Sequence, residues 1–498
     1  MTDFHIPYHS YKERYGNKYT ALYHALHDAI VEGKLASPMK LPSSRELADL
    51  YEVSRGTVNQ VYDMLIAEGY LTAEVGKGTF VAYRGGMEER DKRSEKPLKL
   101  SKWAQRIWTQ DDAVDAPMAA GLRTSENGAL GAASRGDISF KVGFMLLSDY
   151  PMELWNRCVY EQVRRISDTP LEEINAAEGH YALREAIAQQ LRRMRGIDAS
   201  PERIVIVNGS MQAIALLTQI VVNEGDPVIV ERPGYHGVSR AVLAAGGVPV
   251  PGPVDGQGLV PQPWDARLLF VTPSRQFPTG AVLGLERRRQ LLRWAAEQGA
   301  VIVEDDYDSE FRHRGRPIEP LKVLDQEGRV VYIGTFSKTM LKHLRIGYVV
   351  LPEALHGAFV AAKRLYEPHP SGLLEQRALA AFMASGGYER HLRRMRRVYA
   401  SKFLLLQALL QEHLSTLFEW VDSDAGLHLF GWWRGDPRTY DRYAAACNEA
   451  GVEWSDAGGY DLPPGRAGGC FGFAHLTEDE MRRGVEVMRQ VRERGVWI

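Results

Sequence analysis

The stretch TFSKTMLKHLRIGY, Thr335 to Tyr348, follows an apolar run and sets Lys338 just behind Thr335 and Ser337, with Arg345 further on. A lysine so placed can form a Schiff base when an aldehyde cofactor lies beside it. A cofactor of that kind with a pyridinium ring needs an acid at its ring nitrogen. Asp305, in VIVEDDYDSEF, ends another apolar run, where a carboxylate is costly without a cationic partner. Tyr307, two residues on, can reach a ring hydroxyl, and Tyr235 in ERPGYHG offers an aromatic face for stacking. A cofactor phosphate calls for backbone N–H groups at a helix start, which NGSMQA supplies: Gly209 permits the turn and Ser210 adds a hydroxyl. Arg345 adds a cation and Thr335 another hydroxyl. Each segment alone has an ordinary reading as a solvated lysine, a helix cap or a turn; their combination in one order does not.

The elements that must position these residues are legible as well. From about Ser139 onward, the apolar runs RIVIVNG, PVIVERPGY, RLLFVTPS, AVIVEDDYDSEF and VVYIGTFSK alternate with helical patterns. Short β-rich runs separated by amphipathic helices predict an α/β domain with a mostly parallel sheet covered on both faces. In such sheets ligand groups gather beyond the carboxyl ends of the strands, which is where each polar cluster falls.

The first hundred residues read differently. Leu22, Leu26, Ala29 and Ile30 have the spacing of a one-sided helix from about Tyr19 to Gly33. A second helix follows LPSSREL with Ser43 or Ser44 as cap, and a third starts at Ser54 or Arg55. GYLTAEVGKGTFVAY reads as two short strands about the turn Gly76-Lys77-Gly78. Three helices and a hairpin predict a winged helix-turn-helix over residues 1–84 whose third helix can enter a major groove. Small Ser54, Gly56 and Thr57 allow close approach to a DNA backbone, Arg55 and Asn59 can reach base edges or phosphates, and Arg45, Lys77 and Gly78 flank them. Residues 1–84 carry nine basic and ten acidic side chains, so recognition rests on where the cations stand rather than on net charge. The run EERDKRSEK lies in an expected charged linker, residues 85–110, within which Trp103, Ile107 and Trp108 recur at helical spacing and are expected to dock on the domain that follows, residues 111–498.

With 498 residues and 45% hydrophobic content, the chain is long enough for at least two cores. Cys158, Cys447 and Cys470 are too widely spaced for a disulfide framework or a cysteine-rich zinc site, so no metal is expected. No apolar stretch reaches a membrane span and the amino terminus lacks a signal-peptide pattern, which predicts a cytoplasmic protein with no membrane partner.

These motifs carry a resemblance. From about Ser139 to Ile498 the chain resembles a fold type I, aspartate-aminotransferase-like PLP-dependent domain, through TFSKTMLKHLRIGY, EDDYDSEF, GHYALREAI, PSRQFPTG and GLHLFGWW. With its winged helix, the whole chain resembles the MocR-type regulators, a branch of the GntR family. The resemblance implies pyridoxal 5'-phosphate as cofactor, with Lys338 as the Schiff-base lysine, Asp305 on the pyridine nitrogen, Tyr307 on the ring hydroxyl and Tyr235 stacked on the ring. It also implies that Ser210, Gln212, Thr335 and Arg345 lie near the phosphate, with Gly209, Met211 and Ser337 also at the cofactor.

Three departures stand out. Cys470 in CFGFAHL occupies the place where aminotransferases carry the arginine that holds a substrate carboxylate, and a thiol cannot replace a bidentate guanidinium. Phe277 replaces the asparagine of N-P-T-G, and Ile174 or Asn175 stands where a tyrosine is usual. Arg275, His428, Arg240 and His236 remain as candidate ligand groups. The expected protein is a homodimeric transcription factor that binds double-stranded operator DNA and senses pyridoxal phosphate itself or a primary amine through Lys338. The alternative is a working aminotransferase with a DNA-binding appendage.

Overall fold

The computed structural model describes residues 4–84, 98–108, 138–143, 150–168, 170–315 and 318–495. The chain divides into two compact units, Met1–Lys99 and Leu100–Ile498.

In the first unit four helices, α1 (Tyr8–Tyr15), α2 (Lys18–Val31), α3 (Ser44–Tyr51) and α4 (Arg55–Ala67), precede a hairpin of β1 (Leu71–Glu74) and β2 (Gly78–Val81). Leu22, Leu26, Val58, Val61 and Leu65 meet in its core. Sequence caps fix the start of each helix of the helix-turn-helix. Ser43 and Glu46 form a reciprocal capping box on α3, and Ser54 Oγ accepts from the Thr57 N–H at 3.0 Å on α4. The hairpin pairs Leu71 with Val81 and Glu74 with Gly78. Helix α1 was not expected. It is held by the buried Tyr8 and by the Tyr11 hydroxyl, which donates to Asp28 at 2.8 Å.

The second unit is built on an eight-stranded sheet. Its strands are β4 (Ile204–Val207), β5 (Pro227–Arg232), β6 (Val248–Asp255), β7 (Gly258–Leu259), β8 (Leu268–Val271), β9 (Val301–Asp306), β10 (Val330–Thr335) and β11 (Gly347–Val350), in the order β4-β11-β10-β9-β8-β5-β6-β7. Strands β10, β9, β8, β5 and β6 are mutually parallel, and β11 runs antiparallel between β10 and β4. Both faces are buried: Ile204 and Ile206 belong to one apolar cluster, while Val205 and Val207 belong to another. That two-sided burial is why the strands read as continuous apolar runs instead of alternating ones. A smaller sheet, in the order β12 (Phe418–Trp420), β13 (His428–Trp433), β15 (Gly468–Gly472), β14 (Val452–Asp456), β3 (Ile138–Phe140), follows the long helix Gly387–Leu414 in the chain, apart from β3.

Residues 85–97 and 109–110 of the expected linker lie outside the described residues. Residues 102–108 are helical, and their docking differs from the expectation. Trp103 and Trp108 stay 50% and 66% exposed. Arg106 makes the contact instead, its Nε donating to the Ala244 carbonyl at 3.3 Å and its Nη1 lying 3.4 Å from Glu224. A guanidinium at the carbonyl end of the helix His236–Ala245 is favoured by unpaired C=O groups and the helix dipole. Among the described residues no helix is long and apolar enough to cross a membrane, and no cluster of His, Cys, Asp and Glu could hold a metal. The three cysteines are free and buried.

Candidate effector cavity and nucleic-acid surface

Strands β4, β5, β8, β9 and β10 point their carboxyl ends the same way, and the segments that leave them enclose a cavity of about 320 Å³. Lys338 lies in it with Asp305, Tyr307, Tyr235, Ser210, Met211, Thr335, Ser337 and Arg345. Residues more than a hundred positions apart are thus brought to one space by strand direction alone.

The backbone turn after β4 requires glycine. Gly209 has φ +84°, and a Cβ there would stand 2.6 Å from Arg345 Nη2. Arg345 Nη2 donates to the Asn208 carbonyl at 3.2 Å, and the helix Ser210–Val221 has no side-chain cap, a combination suited to an anion. Gln212 does not line the cavity. Its Oε1 accepts from the Asn208 N–H at 2.8 Å and its Nε2 donates to Glu367 at 3.0 Å, so it braces the turn from behind.

At the opposite end, Asp305 Oδ1 is buried with no hydrogen-bond partner among the described residues. Burial, reinforced by Asp306 and Asp308, pushes its pKa up to about 7. Burial lowers the Lys338 ammonium against the opposing pull of Asp308. The cavity therefore holds a carboxylate short of a cation and a lysine disposed to lose its proton.

The departures noted in the sequence acquire physical form. Arg275, fully buried, donates from Nη1 to the Tyr307 hydroxyl at 2.9 Å and to Asp308 at 3.0 Å, and from Nη2 to the His428 carbonyl at 2.7 Å. Gly426 makes room for it, since a Cβ there would stand 2.3 Å from the guanidinium carbon. His428 Nε2 donates to the Pro278 carbonyl at 2.9 Å, and burial with the Arg275 charge holds the ring neutral. Phe277 stands edge-on to Tyr235, Tyr307 and Tyr460, making one wall aromatic. Cys470 is buried within β15 opposite Phe430 and does not line the cavity, and Arg466 stacks on Trp432 at 3.9 Å. His236 lines the cavity and Arg240 does not; among the described residues, Arg345 is the one arginine that does.

Lys141, Tyr460 and His475 also line the cavity and were not singled out in the sequence. They are delivered by segments around the small sheet, and only its register reveals them. Lys141 is paired with Glu453 at 2.6 Å.

On the first unit, Arg45, Ser54, Arg55, Gly56, Asn59, Lys77 and Gly78 are exposed and Thr57 is half-buried. Arg55 Nε donates to Ser44 Oγ at 3.4 Å, linking the start of α4 to α3, and Lys77 pairs with Glu74 in the hairpin. Ser54, Arg55, Gly56 and Asn59 sit at the start and first turns of α4, Lys77 and Gly78 at the wing tip, and Arg45 in the first turn of α3. The third helix and the wing are the elements of this motif that approach a duplex.

Fold and site together define an aminotransferase class I and II domain behind a bacterial gntR-family regulatory domain: the first family matches residues 148–488 and the second residues 18–81. The chain belongs to the MocR-type transcriptional regulators. It is 35% identical over 486 residues to the probable rhizopine catabolism regulatory protein MocR of Rhizobium meliloti, covering 94% of this chain and 92% of that one. It is 30% identical over 411 residues to the HTH-type pyridoxine biosynthesis transcriptional regulator PdxR of Corynebacterium glutamicum, covering 82% of each. The crystal structure of Pyrococcus horikoshii kynurenine aminotransferase in complex with PMP superimposes with a TM-score of 0.66 at 22% identity, covering 82% of this chain and 99% of that one, a likeness of fold.

Proposed function

We propose that this regulator binds operator DNA through the winged helix, over residues 1–84, and holds pyridoxal 5'-phosphate in the cavity around Lys338 as its sensor. The observation that carries this reading is the unpartnered Asp305 carboxylate, which calls for a cationic N–H such as a protonated ring nitrogen. The remaining residues fit the same group. Ser210, Met211, Thr335, Ser337 and Arg345 offer donors for a phosphate, with Gly209, which does not itself line the cavity, shaping the turn that leads to them; Tyr307 meets a ring hydroxyl, and Tyr235 covers a ring face. Gln212 would act on the phosphate turn only from behind.

When bound, pyridoxal phosphate supplies an aldehyde carbon that a primary amine can occupy in place of the lysine. The chain does the rest. Asp305 holds a proton at the ring nitrogen, and burial keeps a share of Lys338 in the neutral, nucleophilic form. Arg275 fixes the Tyr307 hydroxyl, and Phe277, edge-on to Tyr235, forms an apolar wall on one side. With Arg275 held by Asp308 and Cys470 buried within β15, the described residues offer no cavity arginine other than Arg345, which is assigned to the phosphate, for a substrate carboxylate. The domain is therefore read as a sensor and not as an aminotransferase, with pyridoxal phosphate itself or a primary amine as effector. A ligand that binds two states of the protein unequally shifts DNA affinity. The same reading makes the protein a cytoplasmic homodimer presenting two winged helices to repeated or inverted half-sites.

Absorbance during pyridoxal phosphate titration tests the assignment: wild type gains the visible band of a lysine-linked cofactor, and Lys338→Ala does not. A band that persists in Lys338→Ala removes that lysine from the reading. Steady turnover of an amino donor with a keto acid would instead favour an active aminotransferase.

A further inference from the structure

The segment that follows β9 has two sides. Asp305, Tyr307 and Asp308 line the cofactor cavity, whereas Ser309 and Glu310 line a chamber of about 220 Å³. That chamber shares Gln190, Met194, Leu392 and Arg396 with a larger one of about 620 Å³, enclosed by the helices Tyr181–Arg195, Leu373–Ala384 and Gly387–Leu414. None of the residues argued above for the cofactor or for DNA lies in it.

Its chemistry is not that of an incidental void. Gln190 is 9% exposed, at the junction of the two chambers, and its Oε1 has no hydrogen-bond partner among the described residues. Beside it, the Tyr388 hydroxyl, which also lines the larger chamber, donates to Thr339 Oγ1 at 2.9 Å and so is directed away from Gln190 Oε1. A buried acceptor without a partner carries a desolvation penalty of about 1–3 kcal/mol that a ligand donor removes. Around the larger chamber stand Arg193, Arg377, Arg393 and Arg396 against Glu185 and Glu389; Arg193 is already paired with Glu389, and Arg377 with Glu173 and Gln162. Arg393 is exposed on the helix whose basic run, RHLRRMRRVY, has no part in the cofactor cavity.

We infer that this pair of chambers is a second small-molecule site, one that takes a polyhydroxylated organic anion. The charged group sits among the arginines of the larger chamber, and a hydroxyl donor reaches Gln190 Oε1 at the inner end. A simple inorganic anion would leave that acceptor unmet, and a neutral polyol would leave Arg393 and Arg396 without an anion. The Arg396 Nε donates to the Glu310 carbonyl at 2.7 Å, and Arg195, in the inner chamber, lies 2.7 Å from Asp306. A ligand here touches the reverse side of the segment that carries Asp305 and Tyr307.

Calorimetric titration of the full-length chain with gluconate and with glucose 6-phosphate, using sorbitol as the neutral control, tests the site. It is run with and without pyridoxal phosphate, so that its outcome stands apart from the cofactor reading. Binding of at least one anion, absent for sorbitol and weakened about tenfold or more in Gln190→Leu and in the surface variant Arg393→Ser, is expected. Binding of gluconate alone assigns a carboxylate and of glucose 6-phosphate alone a phosphate. The inference is overturned if neither anion binds, if sorbitol binds as tightly, or if both variants bind like wild type.

Discussion

Arg275 Nη1 lies 3.0 Å from Asp308 Oδ2, and both side chains are almost wholly withdrawn from solvent. A buried pair of this kind is more damaging to break than to replace, because removing one partner strands the other charge. Arg275→Leu is expected to destabilise the second unit by about 3–5 kcal/mol in denaturant unfolding, and Arg275→Leu/Asp308→Leu to recover most of that loss. Additive losses in the double variant would mean that the pair is not coupled.

The pH dependence of the cofactor-free protein follows from Asp305. Its folded pKa, about 7, lies above the ordinary aspartate value, so the unfolded chain holds fewer protons between the two. Stability from this group is full below about pH 4 and is lost as pH rises through about 7. Glu231, Glu304 and Glu310 are pushed to about 7 by burial and act in the same direction. Asp305→Asn should remove one carboxyl's share, flattening the fall between pH 5 and 7 by up to ~1.4 kcal/mol per pH unit. An unchanged slope by denaturant titration would count against a strained carboxylate.

Gly209→Ala tests the phosphate turn. The added methyl meets Arg345 at a backbone angle that suits glycine, so pyridoxal phosphate affinity should fall by roughly tenfold or more, about 1.4 kcal/mol. Fluorescence-monitored cofactor titration checks this, and wild-type affinity would show that the phosphate lies elsewhere.

For the winged helix, Arg55→Ala and Lys77→Ala should each weaken operator binding. Any cation of the two that meets a phosphate should also reduce the slope of log affinity against log salt by about 1. Ser54→Ala removes the cap of α4 and should cost about 1 kcal/mol in stability of the first unit. Loss of stability without loss of DNA affinity would assign Ser54 to folding alone.

Much of this was legible because the signals are local. Ser43, Ser54 and the Gly76 turn announce the helix-turn-helix and its wing, and apolar runs ending in polar clusters announce the sheet and the cavity at its carboxyl edge. What was not legible depends on long-range geometry. Helix α1 is tyrosine-rich with little apolar periodicity, and it is stabilised by Asp28 on another helix. Trp103 and Trp108 have helical spacing, yet Arg106 between them makes the contact, because the neighbour is a helix end and a carboxylate. Gln212 lies one turn from the cavity but faces Asn208 and Glu367, a choice set by residue 367. Lys141 and Tyr460 reach the cavity, and Gln190, Glu310 and Arg396 reach a common chamber, only through tertiary packing.

The most direct measurement is the affinity of the full-length protein for its own upstream DNA, with and without pyridoxal phosphate and then with added primary amines, in wild type and Lys338→Ala. The expected result is a shift of about five- to 150-fold in wild type, caused by the cofactor alone or by the cofactor with an amine, and abolished in Lys338→Ala. Equal affinities under every condition, with the cofactor demonstrably bound, would contradict a sensor that works through Lys338.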